Sequence, residues 1–331
     1  MAIQTNSKLL ADAVFEGGGV KGIALVGAVA FAEEKGYHWS NLAGTSAGAI
    51  VASLLAAGYT GAELRSLISK LDYLKFKDKN GFYVPIAGQL TNLIFANGIY
   101  SGGYFEKWLR DLLLRKNVKT FRDLISDEFK NDERYRFKLR VIASDITDGR
   151  LLILPQDITQ YGLKPEDLDV ATAVRMSMSI PFFFKPVRLQ NKLLKKKNYI
   201  VDGAVLSNFP VWLFDSQNTI PPWPTFGFQL VEPEKGGPHD IRGPISLLSA
   251  LFSTMMEAHD ARHIQDEHFV RTIRIPTLGV KTTEFGITAE KTEALYQSGR
   301  KAAEEFLAAW NFEEYVNKYR EPALKSMKGN S

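Results

Sequence analysis

Short apolar runs alternate along the chain with longer runs of helical spacing. Asp12–Glu16 reads as a buried strand that runs into glycines, and Val20–Lys35, rich in alanine, as a helix. Asn41–Thr45 predicts a second short strand and Ala47–Ala57 a second helix. Thr60–Leu71 predicts a further helix, with Thr60 as cap and Glu63 in the capping-box position. Tyr104–Leu114 is amphipathic and helical. Phe137–Ile146 is a strand, with Arg150–Leu154 its candidate partner. Pro165–Ser177 reads as a helix with proline in its first turn. Tyr199–Asp202 is a short strand ending at an acidic residue. Phe226–Val231 and Val270–Ile275 are later strands, and Ile245–Asp266 and Thr288–Trp310 are long helices. Tyr73–Tyr104 is rich in aromatics and glycine and has no clear period. Such alternation predicts an α/β fold, a mostly parallel sheet covered by helices. Asn218–Pro224 and Glu232–Pro244 are proline-rich. They read as surface connections within one domain spanning 1–331, because strands continue on either side.

The 331 residues suffice for a large core, and 45% hydrophobic with 24% charged residues is ordinary for a globular enzyme. A net charge of +4 is too small to imply nucleic acid; it reads first as an ordinary solvated surface, with help in docking on an anionic membrane as the alternative. The absence of cysteine excludes disulfides, thiolate metal sites and a cysteine nucleophile. The N-terminus lacks the apolar stretch of a secretory signal. The most apolar segments, Ile23–Ala32 and Ala47–Gly58, are shorter than the roughly 18 residues of a membrane span. The expectation is a cytoplasmic or peripheral membrane protein.

Gly17-Gly18-Gly19-Val20-Lys21-Gly22 follows the first strand and opens a helix. Glycine permits a tight turn there, and free N–H groups at a helix start favour an anion. Gly17, Gly19 and Gly22 match the dinucleotide pattern G-x-G-x-x-G, a weak signal alone. That reading also needs an acidic residue ending the second strand. The second strand ends instead in Ser46, and Glu33 and Glu34 come too early. A P-loop fails because Gly22 follows Lys21. An oxyanion hole remains, against a tight turn with no ligand.

Gly44-Thr45-Ser46-Ala47-Gly48 matches G-x-S-x-G at a strand-to-helix junction, the context that motif requires. The alternative is Ser46 as a helix cap and no more. A serine nucleophile needs a base. None of His38, His239, His259, His263 and His268 lies in a glycine-bounded strand-end motif. His259 and His263 share a helix face but lack the acidic pattern of a metal site. Asp202 stands at the tip of an apolar strand, followed by Gly203 and Ala204. Taken alone it is an ordinary Asp-Gly turn.

Together, GGGVKG at 17–22, GTSAG at 44–48, Ser177-Met178-Ser179-Ile180-Pro181 and DGA at 202–204 resemble the patatin-like phospholipase family. The resemblance covers about residues 10–230. The C-terminal strand and helices of 231–331 are expected to pack on that core. The resemblance implies a three-layer α/β/α sandwich and hydrolysis of acyl esters of phospholipids or lysophospholipids. It implies Ser46 as nucleophile and Asp202 as its base in a Ser–Asp dyad. Oxyanion donors come from Gly17, Gly18 and Gly19, with Lys21 adding positive charge and Gly44, Gly48 and Gly203 in support. No metal or organic cofactor and no nucleic acid is implied. The partners are the lipid substrate and, peripherally, a membrane surface. A carboxylate is a poor base for a hydroxyl, so Asp202 is expected in a partly dry site.

Phe82, Tyr83, Ile86, Leu90, Leu93, Ile94, Phe95 and Tyr100 are dense enough to line an acyl trench, as are Phe182–Phe184. Plain core packing is the alternative for each. Lys195–Lys197, read as a loop, suits lipid head groups or simple solvation. Two rival functions stand beside the hydrolase: a dinucleotide-binding oxidoreductase, and a storage or interaction protein with incidental esterase activity.

Overall fold

The computed structural model describes residues 9–69, 98–216, 219–232, 266–282 and 286–322, with isolated positions between 241 and 254 and at 284. The strands are β1 (Leu9–Phe15), β2 (Tyr37–Thr45), β3 (Gly98–Tyr100), β4 (Leu139–Asp145), β5 (Arg150–Leu154), β6 (Phe182–Phe184), β7 (Val187–Asn191), β8 (Lys196–Asp202), β9 (Thr225–Val231) and β10 (Thr272–Pro276). The helices are α1 (Gly22–Glu34), α2 (Ala47–Ala56), α3 (Gly61–Ile68), α4 (Gly103–Arg115), α5 (Val170–Ser177), α6 (Asp266–Phe269), α7 (Ala289–Ala309) and α8 (Phe312–Tyr315).

The central sheet runs β10-β9-β1-β2-β4-β8-β7, with β5 also on β4. β10, β9, β1, β2 and β4 are mutually parallel, whereas β5 and β8 lie antiparallel to β4 and β7 antiparallel to β8. The architecture is a three-layer α/β/α sandwich around a mixed, mostly parallel sheet. Alternation along the strands separates its two faces. Ala11, Ala13, Phe15, Leu42, Val141 and Ala143 join the large core shared with α1, α2, α5 and α7. Val14, Ala43 and Ile142 point the other way, onto Leu213 and Phe214 of a 3-10 turn.

α1 is apolar on every side because it is covered on every side. Its residues from Gly22 to Ala32 are all buried, and α7 closes its outer surface. Two glycines set the closeness of that crossing. A Cβ on Gly27 would sit 2.0 Å from the Tyr296 carbonyl oxygen, and one on Gly299 would sit 1.9 Å from that of Ala24.

Several expected boundaries move. The helix expected over Pro165–Ser177 is a 3-10 turn at Pro165–Asp167, followed by α5 from Val170. Asp169 makes the break: its carboxylate caps α5 by accepting from the Thr172 N–H and also holds Arg110. Lys196 and Lys197 belong to β8, not to a loop, and only Lys195, at φ 51°, occupies the turn. β7 has no counterpart among the expected elements. The capping box of α3 is present as expected. The helix expected over Ile245–Asp266 lies largely outside the described residues, as do Phe82–Phe95, His239, His259 and His263.

Candidate active site

β2 and β8 meet end to end. β2 pairs with β4 as far as Thr45↔Ile142, and β8 pairs with β4 from Ala143↔Asp202. β5 occupies the other edge of β4 over Val141–Asp145, so β2 and β8 share one edge and approach from opposite directions. Ser46 leaves the end of one strand where Asp202 ends the other. Asp202 stands at a strand tip as expected, but it reaches the site on a strand antiparallel to β4 within the mostly parallel sheet.

Ser46 is held in a conformation that side chains rarely adopt, φ 53° and ψ −122°, between the end of β2 and the start of α2. Gly44 and Gly48 make so sharp a turn possible: a Cβ on Gly44 would lie 2.3 Å from the Gly48 carbonyl carbon, and one on Gly48 2.4 Å from the Phe15 oxygen. The Ser46 backbone N–H donates to the Ser177 hydroxyl at 2.9 Å. The Ser46 hydroxyl makes no capping bond to α2, so a helix cap does not account for this serine. The side chain is 5% exposed.

Asp202 is fully buried. Its N–H donates to the Ser179 carbonyl at 3.0 Å, and its Oδ1 accepts the Ala204 N–H at 2.9 Å. Among the described residues Oδ2 has no hydrogen-bond partner. Burial pushes this carboxyl up to about 7; the Ala204 N–H and, more weakly, the nearby Ser46 hydroxyl pull it back down. Gly203 allows the chain to turn away, since a Cβ there would lie 2.4 Å from the Ile142 oxygen.

The glycine loop is clamped from two sides. The Gly17 N–H donates to the Asn208 carbonyl at 3.4 Å, and Asn208 Nδ2 donates to Glu16 at 3.2 Å. Val20 donates to the Thr282 carbonyl at 3.2 Å. Gly19 has φ +57°, and a Cβ there would lie 2.1 Å from that same carbonyl oxygen. The N–H groups of Gly18 and Gly19 have no partner among the described residues. Of the three glycines, Gly17 is thus already engaged. Lys21 is neither free charge nor a solvated helix lysine: its ammonium is buried and paired with Glu232 at 3.1 Å.

The sequence did not show what supports the two backbones. Ser177 and Ser179 hold the backbones of Ser46 and Asp202, and Arg175 donates to the Ser179 hydroxyl and, at 2.6 Å, to the Ser101 carbonyl. The Ser177–Pro181 block was visible as a motif, but its targets lie far away in sequence. Asn208 and Glu16 gave no signal beyond standing beside motifs. Of the histidines described, His38 lies near the N-terminal end of β2, away from Ser46, and His268 faces Asp215 at 3.6 Å. Tyr100 packs against Phe183 and Phe184 at ring separations of 6.5 and 6.3 Å, where β3 pairs with β6. A cavity of about 290 Å³ lined by Trp39, Phe129 and Lys138 lies at the opposite, N-terminal end of the strands and takes no part in this site.

The family model of the patatin-like phospholipases matches residues 13–215, which include the glycine loop, the serine elbow and Asp202. The chain belongs to the patatin-like phospholipase family. The chain is similar to the uncharacterized protein YqhO of Bacillus subtilis (strain 168), 42% identical over 303 residues, 91% of this chain and 99% of that protein. The "Probable lipid hydrolase 463L" of Invertebrate iridescent virus 6 is 29% identical over 199 residues, 60% of this chain and 61% of that protein. The patatin fold is also that of VipD from Legionella pneumophila, whose crystal structure matches with a TM-score of 0.54 at 20% identity, over 90% of this chain and 67% of that one.

Proposed function

We propose that this protein hydrolyses carboxylic esters of phospholipids or lysophospholipids through an acyl-enzyme on Ser46. The observation that carries the reading is the junction of β2 and β8. It brings a strained serine beside a buried carboxylate whose Oδ2 has no other partner among the described residues. Asp202, when ionised, takes the proton of the Ser46 hydroxyl as Oγ attacks the ester carbonyl. The unpaired N–H groups of Gly18 and Gly19, with the free N–H groups at the start of α2, are the donors for the oxyanion. Collapse of the tetrahedral intermediate expels the lipid alcohol, which takes the proton back from Asp202. Water, deprotonated by the same carboxylate, then attacks the acyl carbonyl; the bond to Ser46 Oγ breaks, Oγ takes that proton back from Asp202, and the fatty acid is freed.

The dry setting suits this division of labour. A solvated aspartate ionises about three units below neutral pH, and burial brings Asp202 up to about 7, near the pH at which a general base works best. Ser177 and Ser179 support the reading by fixing the backbones of both members. Tyr100 and Phe183, half-buried and tilted against each other over the buried Phe184, offer an apolar wall for an acyl chain.

The test is hydrolysis of p-nitrophenyl esters of increasing chain length by wild type, Ser46→Ala and Asp202→Asn, with folding checked by circular dichroism. Both variants are expected to lose at least about a thousandfold in kcat/KM, the size of a missing nucleophile or base. Full activity in Ser46→Ala overturns the assignment. An inert wild type that still binds lipid favours an interaction protein.

A further inference from the structure

The turn between β7 and β8 carries Lys192-Leu193-Leu194-Lys195, and Lys197 follows on β8. Leu193 and Leu194 are 64% and 63% exposed, more than any other large apolar side chain among the described residues. Lys192, Lys195 and Lys197 are exposed, and among the described residues none of them has a carboxylate partner. Lys196 differs, being paired with Asp148.

The position of this turn matters more than its composition. Ile200 of β8 pairs with Asp145, the last residue of β4. From there the hairpin runs on past the C-terminal edge of the parallel strands, about 17 Å to Lys195 at roughly 3.4 Å per residue. Ser46 also stands at the C-terminal end of its strand, so the tip projects on the side where the substrate must arrive. Ile146, 54% exposed, lies on the same edge, its N–H bound to the Tyr199 carbonyl at 3.1 Å.

The tip is also fixed in shape. The buried Asn191 side chain accepts the N–H groups of Leu193 and Leu194 at 3.0 and 2.9 Å, and donates to the Gln160 carbonyl at 3.3 Å. The Lys192 N–H donates to the Tyr161 carbonyl at 3.0 Å. Two leucines held outward in a ring of unpaired cations match one surface chemically: apolar chains beneath anionic head groups. Because the turn is already ordered, little conformational entropy is lost on docking.

We propose that the Lys192–Lys197 turn is a membrane-docking wedge for anionic bilayers, with Leu193 and Leu194 entering the acyl boundary and Lys192, Lys195 and Lys197 meeting phosphate and carboxylate head groups. This deepens the lipid-hydrolase reading, by naming how the enzyme meets its substrate's surface, and rests on it only for the choice of surface.

Binding is measured by flotation with vesicles of ether-linked phosphatidylcholine, with and without ether-linked phosphatidylserine, so that no ester is cleaved. Wild type is expected to bind the anionic vesicles and to release as salt is raised. Leu193→Ser with Leu194→Ser is expected to weaken binding about thirtyfold, and Lys192→Glu, Lys195→Glu and Lys197→Glu together about a hundredfold. Hydrolysis of p-nitrophenyl acetate, which needs no interface, stays at the wild-type rate in both variants. Leu194→Trp supplies an independent signal: its fluorescence shifts to the blue on anionic vesicles. The proposal is overturned if wild type does not bind these vesicles, or if both multiple variants bind like wild type. It is equally overturned if the leucine change alters only self-association in sedimentation. Wild type that binds vesicles through the turn yet cleaves no ester leaves the wedge standing and removes the hydrolase.

Discussion

Burial raises the Asp202 carboxyl from its ordinary 3.8 to about 7, and under the proposed mechanism that single shift moves stability and activity in opposite directions. The folded protein holds this proton more tightly than the unfolded chain does. The resulting stabilisation is complete below about pH 4 and is lost as pH rises toward 7. At 1.36 kcal/mol per unit, it amounts to roughly 4 kcal/mol. The proposed base, however, must be ionised. Activity on a soluble ester is therefore expected to rise through an acidic limb centred near pH 7, while this residue's contribution to stability falls across the same window. Asp202→Asn separates the two. It should abolish turnover and raise the melting temperature at pH 8, with little change at pH 4. An equal shift at both pH values would remove the buried carboxylate as the cause. Ser177 belongs to the same scale. It was legible as part of a motif, but its acceptance of the Ser46 N–H was not, because 131 residues separate them.

Among the elements, α1 and α7 show how a helix outside the matched region becomes part of the frame. α1 opens from the glycine loop, and its outer face is covered by α7 across Gly27 and Gly299. Alanine is the better helix former by about 1 kcal/mol, so Gly299→Ala would stabilise an isolated α7. In the folded protein its methyl would strike the Ala24 carbonyl. A net loss of about 2 kcal/mol is expected, read from urea unfolding, with Gly27→Ala losing a similar amount. A gain would show that the helices can separate freely. The composition of α1 announced a helix buried on all sides. Its partner could not be read there, because the two glycines are separated by most of the chain. The end-to-end meeting of β2 and β8 was hidden for a similar reason. An apolar strand looks the same whether its neighbour runs parallel or antiparallel.

For the whole molecule, the family match ends at residue 215, and Asp215 is where the chain beyond it is tied down. Arg271, its side chain 2% exposed, makes two bonds of 2.6 Å to the Asp215 carboxylate. Arg320 pairs with Glu267 and donates to the Ser216 carbonyl at 2.8 Å. Burial pushes Asp215 up, but the His268 bond and the Arg271 charge outweigh it and hold the carboxyl below its ordinary range. Asp215→Ala strands a buried guanidinium and is expected to cost about 3–5 kcal/mol, read from thermal melts at neutral pH. Replacing both partners, Asp215→Leu with Arg271→Met, should cost clearly less. If the single and double changes cost the same, the pair is not what holds this region.

The local chemistry of the site was written in the chain. A glycine-rich turn, a serine between two small residues at a strand–helix junction, and an Asp-Gly at a strand end are each set by steric demands within a few residues, so the residue types reveal them. The α/β class followed for the same reason, since the hydrophobic period changes with the type of element. Only the tertiary structure decided what those pieces face: that Asp202 arrives on an antiparallel strand, that Gly17 and Lys21 are already engaged, and that Lys196 joins β8 by pairing with Asn191 of β7. Such facts depend on pairings between distant segments. Many sequences satisfy such a pairing equally well, and only packing selects the one that buries the most surface with its polar groups matched.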